Sequence, residues 1–254
     1  MRFFQICALA LVVSFVASAR AEAFPALQLD IVGGHYDPIT QTIVSDGPDF
    51  TLVALLTPNP ARNNLAEVLS STYYISAAIT PSVTPPGSGL GSFTWDGANY
   101  LVTEDMTYGT PPLELSGAAA DHGDLGPHGI YPTYFAEFAF QFSAANRTIS
   151  YNSALTPGGL TPTSATTGIS YFATINLTTT LQGSNVLHFD LYDSYLQSCA
   201  KRGACALDED IGMFAPFSHD AESENRVPEA RSLLLMSTGL LVAGRLFRRP
   251  KNAD

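Results

Sequence analysis

An all-β fold, a β-sandwich, is what this sequence predicts, on three observations. The first is alternation of apolar and polar residues. In 133–142, Phe138, Phe140 and Phe142 share one face and Glu137, Ala139 and Gln141 the other. In 186–192, Leu187, Phe189 and Leu191 face inward, with His188 and Asp190 outward. The second is punctuation by loops rich in Pro, Gly, Ser and Thr, such as Thr156, Pro157, Gly158 and Gly159. The third is that no long helical period occurs between residues 24 and 225. A closed barrel is the second architecture this pattern allows.

The elements follow in order. Residues 27–32 alternate and stop at Gly33 and Gly34, and 50–56 form an apolar strand between a turn at 45–49 and Pro58. Residues 63–70 suit one or two helical turns, with Leu65, Val68 and Leu69 on one side. A Tyr- and Ile-rich strand at 73–80 breaks at Pro81. Asp96 and Gly97 join 92–95 to 99–102 as a hairpin with a loop of about four residues. Residues 169–177 form a further strand. No internal repeat is visible, so one domain is expected; the loop near 111–130 is where two sheets or lobes would divide.

Apolar segments bracket this domain. Met1 and Arg2 begin a small basic region, 3–16 are apolar, and Ala17-Ser18-Ala19 and Ala21-Glu22-Ala23 are small-residue cleavage sites. Residues 1–23 read as a secretory signal peptide cut after Ala23, with Ala19 the second choice. The translocon and signal peptidase are then partners. Cys7 has no small residue before it, against a lipoprotein. At the other end, an apolar run begins at Ser232; its uninterrupted stretch of about 12–13 residues is short of the ~20 that span a bilayer. Arg245 lengthens it by snorkelling, giving a single transmembrane helix over 232–247. Arg245, Arg248, Arg249 and Lys251 keep the following end cytoplasmic. An amphipathic or buried core helix is the alternative.

Val227, Pro228, Glu229 and Ala230, with the apolar run and arginine-rich end behind them, resemble the PEP-CTERM sorting signal of Gram-negative bacteria. Alanine stands at 230 where the family pattern has a second proline. The resemblance covers 226–254 and implies processing by an exosortase, a membrane transpeptidase, with attachment to a surface component. The exported domain, 24–225, resembles the bacterial group called choice-of-anchor N at residues 127–138, 188–192 and 214–220. That resemblance implies architecture and location but no activity. The expected itinerary is export, anchorage in the inner membrane with a periplasmic domain, then the cell surface or extracellular matrix.

Charge narrows the function. From residue 24 to 226 there are five Lys and Arg against twenty Asp and Glu, a net charge of −15. Nucleic acid, which needs a basic footprint, is excluded as a partner. Such a surface suits solubility and divalent cations. Asp208, Glu209 and Asp210, aided by Asp30 or Asp37, are the candidate structural calcium ligands, against the plainer reading of an exposed acidic turn. No other cofactor is expected. Cys199 and Cys205 suit a short-loop disulfide in an oxidising compartment; a metal pair or reactive thiol would need further ligands or a local His.

Catalytic patterns are sparse. Ser218, His219 and Asp220 adjoin in sequence, whereas a triad is assembled in space, so they read as a polar spacer before the anchor. No Gly-x-Ser-x-Gly elbow occurs. Asp121, His122, Asp124 and His128 make a loaded loop, a metal site or a polar loop bonding its own backbone. Glu137 is either one of a glycosidase carboxylate pair or solvent-facing. The expectation is a non-catalytic exported surface or matrix protein. The alternatives are a sandwich that binds exopolysaccharide through exposed aromatics such as Trp95 and Tyr100, and a hydrolase.

Overall fold

The structure, a computed structural model, describes residues 26–59, 64–113, 125, 129–149, 151–162, 168–197 and 208–224. The expected signal peptide, Cys199 and Cys205, the loop histidines His122 and His128, and everything from Val227 through the basic tail lie outside these residues. Among the described residues no helix is long and apolar enough to cross a membrane.

The strands are β1 Leu27–Ile31, β2 His35–Asp37, β3 Thr42–Val44, β4 Asp49–Leu56, β5 Tyr73–Thr80, β6 Gly91–Trp95, β7 Ala98–Leu101 and β8 Thr107–Gly109. They continue with β9 Thr133–Phe140, β10 Arg147–Thr148, β11 Ser170–Leu181, β12 Val186–Gln197, β13 Asp208–Phe214 and β14 Ala221–Glu222. One short helix, α1 Leu65–Ser70, starts where the Asn64 side chain accepts from the Ala66 N–H at 3.1 Å. It sends Val68 into the core while Leu65 remains exposed. A 3-10 turn spans Phe217–His219.

Two sheets face one another. The first runs β1-β4-β11-β6-β7, with β10 also on β11. The second runs β2-β3-β14-β12-β5-β9-β8, with β13 on the far half of β12. Pairing is antiparallel apart from β14 against β3. Leu29, Leu52 and Ala54 from the first sheet and Ile75, Ala77, Phe189 and Leu191 from the second fill the space between. Phe50 meets Phe189 edge-on at 6.0 Å, and Trp95 stacks on Phe138 at 3.8 Å. Each fully buried Leu, Ile or Phe contributes roughly 1.5–3 kcal/mol, so this layer is the main source of cohesion.

The Asp96–Gly97 hairpin is tighter than expected. Trp95 pairs with Ala98, so the loop is two residues, both with positive φ (45° and 85°). This is the type I′ geometry that an Asp-Gly pair favours. The loop near 111–130 divides no lobes either: β8 before it and β9 after it are antiparallel neighbours in one sheet.

Both outer faces of the sandwich are covered in part. On the first sheet, Val53, Leu55 and Phe172 bury against Leu160, with Tyr151 beside them, under the segment 151–160. That cover explains why 52–56 is a continuous apolar run, since this half of β4 is dry on both sides. The second sheet carries a cover of another kind.

Candidate functional site

Register assembles the site. β12 sets Asp190 opposite Ser76 of β5, and Ser76 lies opposite Glu137 of β9. On the other edge of β12, His188 lies opposite Glu222 of β14. Opposed residues share a face and strand residues two apart do also. His188, Asp190, Tyr192, Ser76, Glu137 and Glu222 therefore stand together on the side of the second sheet turned away from the core. Asp220, at the end of the 3-10 turn, joins them.

The period-two reading put His188 and Asp190 on the outward face, and there they stand, but under a cover of distant chain. They are 2% exposed each, and Asp220 is 1% exposed. Tyr131, in the segment entering β9, reaches over the sheet and donates to Asp190 Oδ2 at 2.6 Å. Ser76 Oγ donates to the same oxygen at 3.1 Å and lies 2.8 Å from the Tyr131 hydroxyl. Asp190 Oδ1 faces His188 Nε2 at 3.5 Å, and Asp220 Oδ2 lies 3.8 Å from that nitrogen. Glu222 Oε2 is 3.5 Å from the other ring nitrogen, Nδ1. Farther along the face, the Tyr192 hydroxyl donates to Glu137, whose second oxygen accepts from Leu113 N–H at 2.9 Å. Glu137 is thus a bonded member of the polar layer and not merely solvent-facing.

These neighbours set the protonation. Burial alone would push the His188 imidazole down; Asp190, Asp220 and Glu222 outweigh it and hold the ring well above its usual range. Burial and then Asp190 push the Tyr131 phenol up, and burial and then Glu137 do the same to Tyr192. Both phenols are therefore donors at any ordinary pH. A cavity of about 410 Å³, walled in part by Thr40, Gln41, Ile130 and Phe217, reaches His188, Asp220 and Glu222 from outside.

The chemistry here is that of nitrogen and oxygen donors gathered around one point. The ligand atoms of His188, Asp190 and Asp220 all lie within 4.8 Å of one another. A hydrolytic triad would set an imidazole against a hydroxyl, whereas here carboxylates stand beside both ring nitrogens.

The residues singled out from sequence distribute elsewhere. Asp208, Glu209 and Asp210 form the start of β13, opposite Gln197, Leu196 and Tyr195, and so belong to a strand and not to a turn. Asp30 belongs to the other sheet, where it accepts from Tyr151 OH, Gly158 N–H and Ile31 N–H, so it is no companion of that run. Asp37 closes its own turn by accepting from Ile39 N–H. Trp95 packs against the core with one ring face on Phe138, and Tyr100 stacks on Phe93 at 5.3 Å. Any sugar stacking at Trp95 is confined to its other face. Ser218-His219-Asp220 is part of the fold and not a spacer: His219 is buried, with Nδ1 2.9 Å from Ser218 Oγ and Nε2 3.2 Å from Asn152 Oδ1. His35 pairs with Asp46 on the surface at 2.8 Å.

Sequence reasoning read His219 as part of a polar spacer and His188 only as an outward strand residue, and named neither as a site. The available signal was the repeated spacing: His188-x-Asp190 and Asp220-x-Glu222 each place two ligand-type residues on one side of an extended chain. Tyr131 and Ser76 carried no such signal. Compared with protein-family models, with curated proteins and with solved structures, the chain matches none.

Proposed function

We propose that this chain is a non-catalytic exported surface protein, its β-sandwich delivered by a secretory signal and held at the membrane by a PEP-CTERM-like tail that an exosortase processes. The observation that carries this reading is the pair of bracketing segments: residues 1–23 with their small-residue cleavage sites, and 226–254 with Val227-Pro228-Glu229, the apolar run and the four basic residues behind it.

The fold supports a short connection between domain and tail. β14 is fastened at its very end: Ser45 N–H donates to Glu222 O at 3.0 Å, Leu187 N–H to Ser223 Oγ at 2.9 Å, and Glu224 N–H to Ser45 Oγ at 2.8 Å. Three residue steps separate Glu224 from Val227, a reach of about 10 Å at full extension. A protease acting at the motif would work close against the end of β14, which lies between β3 and β12. Removal of residues 227–251 should release the domain from the membrane fraction into periplasm or medium, as read by fractionation and immunoblotting. Unchanged membrane retention of the truncated chain would overturn the reading.

A further inference from the structure

The geometry points to a divalent transition-metal site formed by His188 Nε2, Asp190 Oδ1 and Asp220 Oδ2, which staples the chain entering β14 to the centre of its sheet. It stands independently of the anchoring reading, because none of its residues belongs to either terminal segment.

Separation is the first ground. Charge-assisted hydrogen bonds between nitrogen and carboxylate run about 2.7–2.9 Å, and the distances from Nε2 are 3.5 and 3.8 Å. Two donors each about 2.1 Å from a shared ion stand roughly 3.4 Å apart at the tetrahedral angle and roughly 3.8 Å apart at 130°. Both separations from Nε2 are those of ligands around an ion, and all three donors lie within 4.8 Å of one another.

The second ground is what holds the other atom of each ligand. Metal-binding imidazoles commonly donate their second N–H to a carboxylate, which fixes tautomer and ring orientation. Glu222 Oε2 stands 3.5 Å from His188 Nδ1, on the side of the ring that such a carboxylate takes, though beyond the length of a charge-assisted hydrogen bond. Asp190 is treated likewise: Tyr131 and Ser76 both donate to Oδ2, turning Oδ1 toward Nε2. The orienting groups come from β14, β5 and the segment before β9, so the site is supported from three parts of the fold. The cavity supplies access and room for water to complete the coordination.

One imidazole with carboxylates suits a first-row ion such as zinc, and three protein donors fall short of the six to eight oxygens calcium takes. A bound ion would take the place of the proton on His188 Nε2, releasing it to solvent, and would join β12, the long central strand, to Asp220, immediately before the two-residue β14 that leads to the C-terminal segment.

The test uses the full-length protein in mild detergent, stripped with a chelator and titrated with zinc chloride. Wild type should bind one equivalent that is lost in His188→Gln and Asp220→Asn, by metal analysis and calorimetry. At a hundredfold excess over Kd the wild-type Tm should rise by roughly 5–10 °C. Amide hydrogen exchange over 217–224 should slow with zinc in wild type alone. Glu222→Gln should weaken binding by roughly tenfold to a hundredfold. Failure of wild type to bind zinc, undiminished binding in both ligand variants, or a response to calcium but not to zinc would overturn the proposal.

Discussion

The two outer faces of the sandwich bury polar side chains to the same depth with opposite partners. On the first sheet, Gln28 and Asp30 are fully buried under the segment 151–160. Gln28 donates to Tyr151 O at 2.9 Å and accepts from Ser153 N–H at 3.0 Å. Asp30 accepts from two backbone N–H groups and the Tyr151 hydroxyl. On the second sheet, His188 is approached by three carboxylates, and a cavity reaches them. The first arrangement fastens a loop, because its partners are mostly backbone. The second gathers an imidazole and carboxylates around one point, the arrangement proposed above as an ion site. Burial of polar residues identifies neither; the partners do.

The sharpest break of this comparison is Gly158→Ala, which should unseat the loop and leave the second face intact. Gly158 has φ of +68°, and an added Cβ would lie 2.1 Å from Gly34 O and 2.5 Å from Gly34 N. Those are backbone atoms that cannot swing aside. The expected loss is on the order of 3–4 kcal/mol in urea unfolding, the same with and without zinc. A loss below about 1 kcal/mol would mean that the loop is not fixed against Gly34.

A smaller effect separates the faces by pH. Burial raises the Asp30 carboxyl above its ordinary value, although Gly158, Tyr151 and Ile31 pull it back. A raised folded-state pKa means the folded protein holds this proton more tightly than the unfolded chain. Its contribution to stability is full below about 3.8 and is lost as pH rises through the folded value. Asp30→Asn removes that titration while keeping an acceptor for the backbone N–H groups. Wild-type stability relative to the variant should therefore fall as pH rises across that window, in urea midpoints measured at successive pH values. Parallel curves would refute the assignment.

This contrast also marks how far the residues could be read without coordinates. Local rules decided β9 and β12, where Phe138, Phe189 and Leu191 alternate correctly, and they placed a turn at Asp96–Gly97, although the loop is two residues and not the four expected. Periodicity tells which face a residue takes and not whether distant chain covers that face. His188 and Asp190 do point outward, as expected, and are buried all the same; Gln28 and Asp30 have the same pattern on the other sheet. Their covers, Tyr131, Asp220 and 151–160, dock from tens of residues away. The opposition of His188 and Glu222 depends on how β14 registers on β12, which neither strand specifies alone. Trp95 was a candidate for a glycan surface or for packing, because an aromatic beside a hairpin turn suits both; the strand facing it, carrying Phe138, supplies the difference.

The finest test compares two tyrosines that do the same work for different ends. Tyr151 donates to Asp30 Oδ2 at 2.7 Å, and its oxygen accepts from Gly159 N–H at 3.1 Å. Tyr131 donates to Asp190 Oδ2 at 2.6 Å. Tyr151→Phe leaves a carboxylate oxygen and an amide short of one bond each, a loss of about 1 kcal/mol, given that the site is partly exposed and water can replace some of it. Zinc should not change that figure. Tyr131→Phe releases the oxygen that turns Asp190 toward Nε2, so its effect should fall on the ion: zinc affinity weaker by about tenfold or more. Unfolding curves with and without zinc for both variants decide the matter. If zinc separates the Tyr151 variant from wild type as strongly as the Tyr131 variant, the two faces are not functionally distinct, and the partner-based distinction between fastening and binding fails.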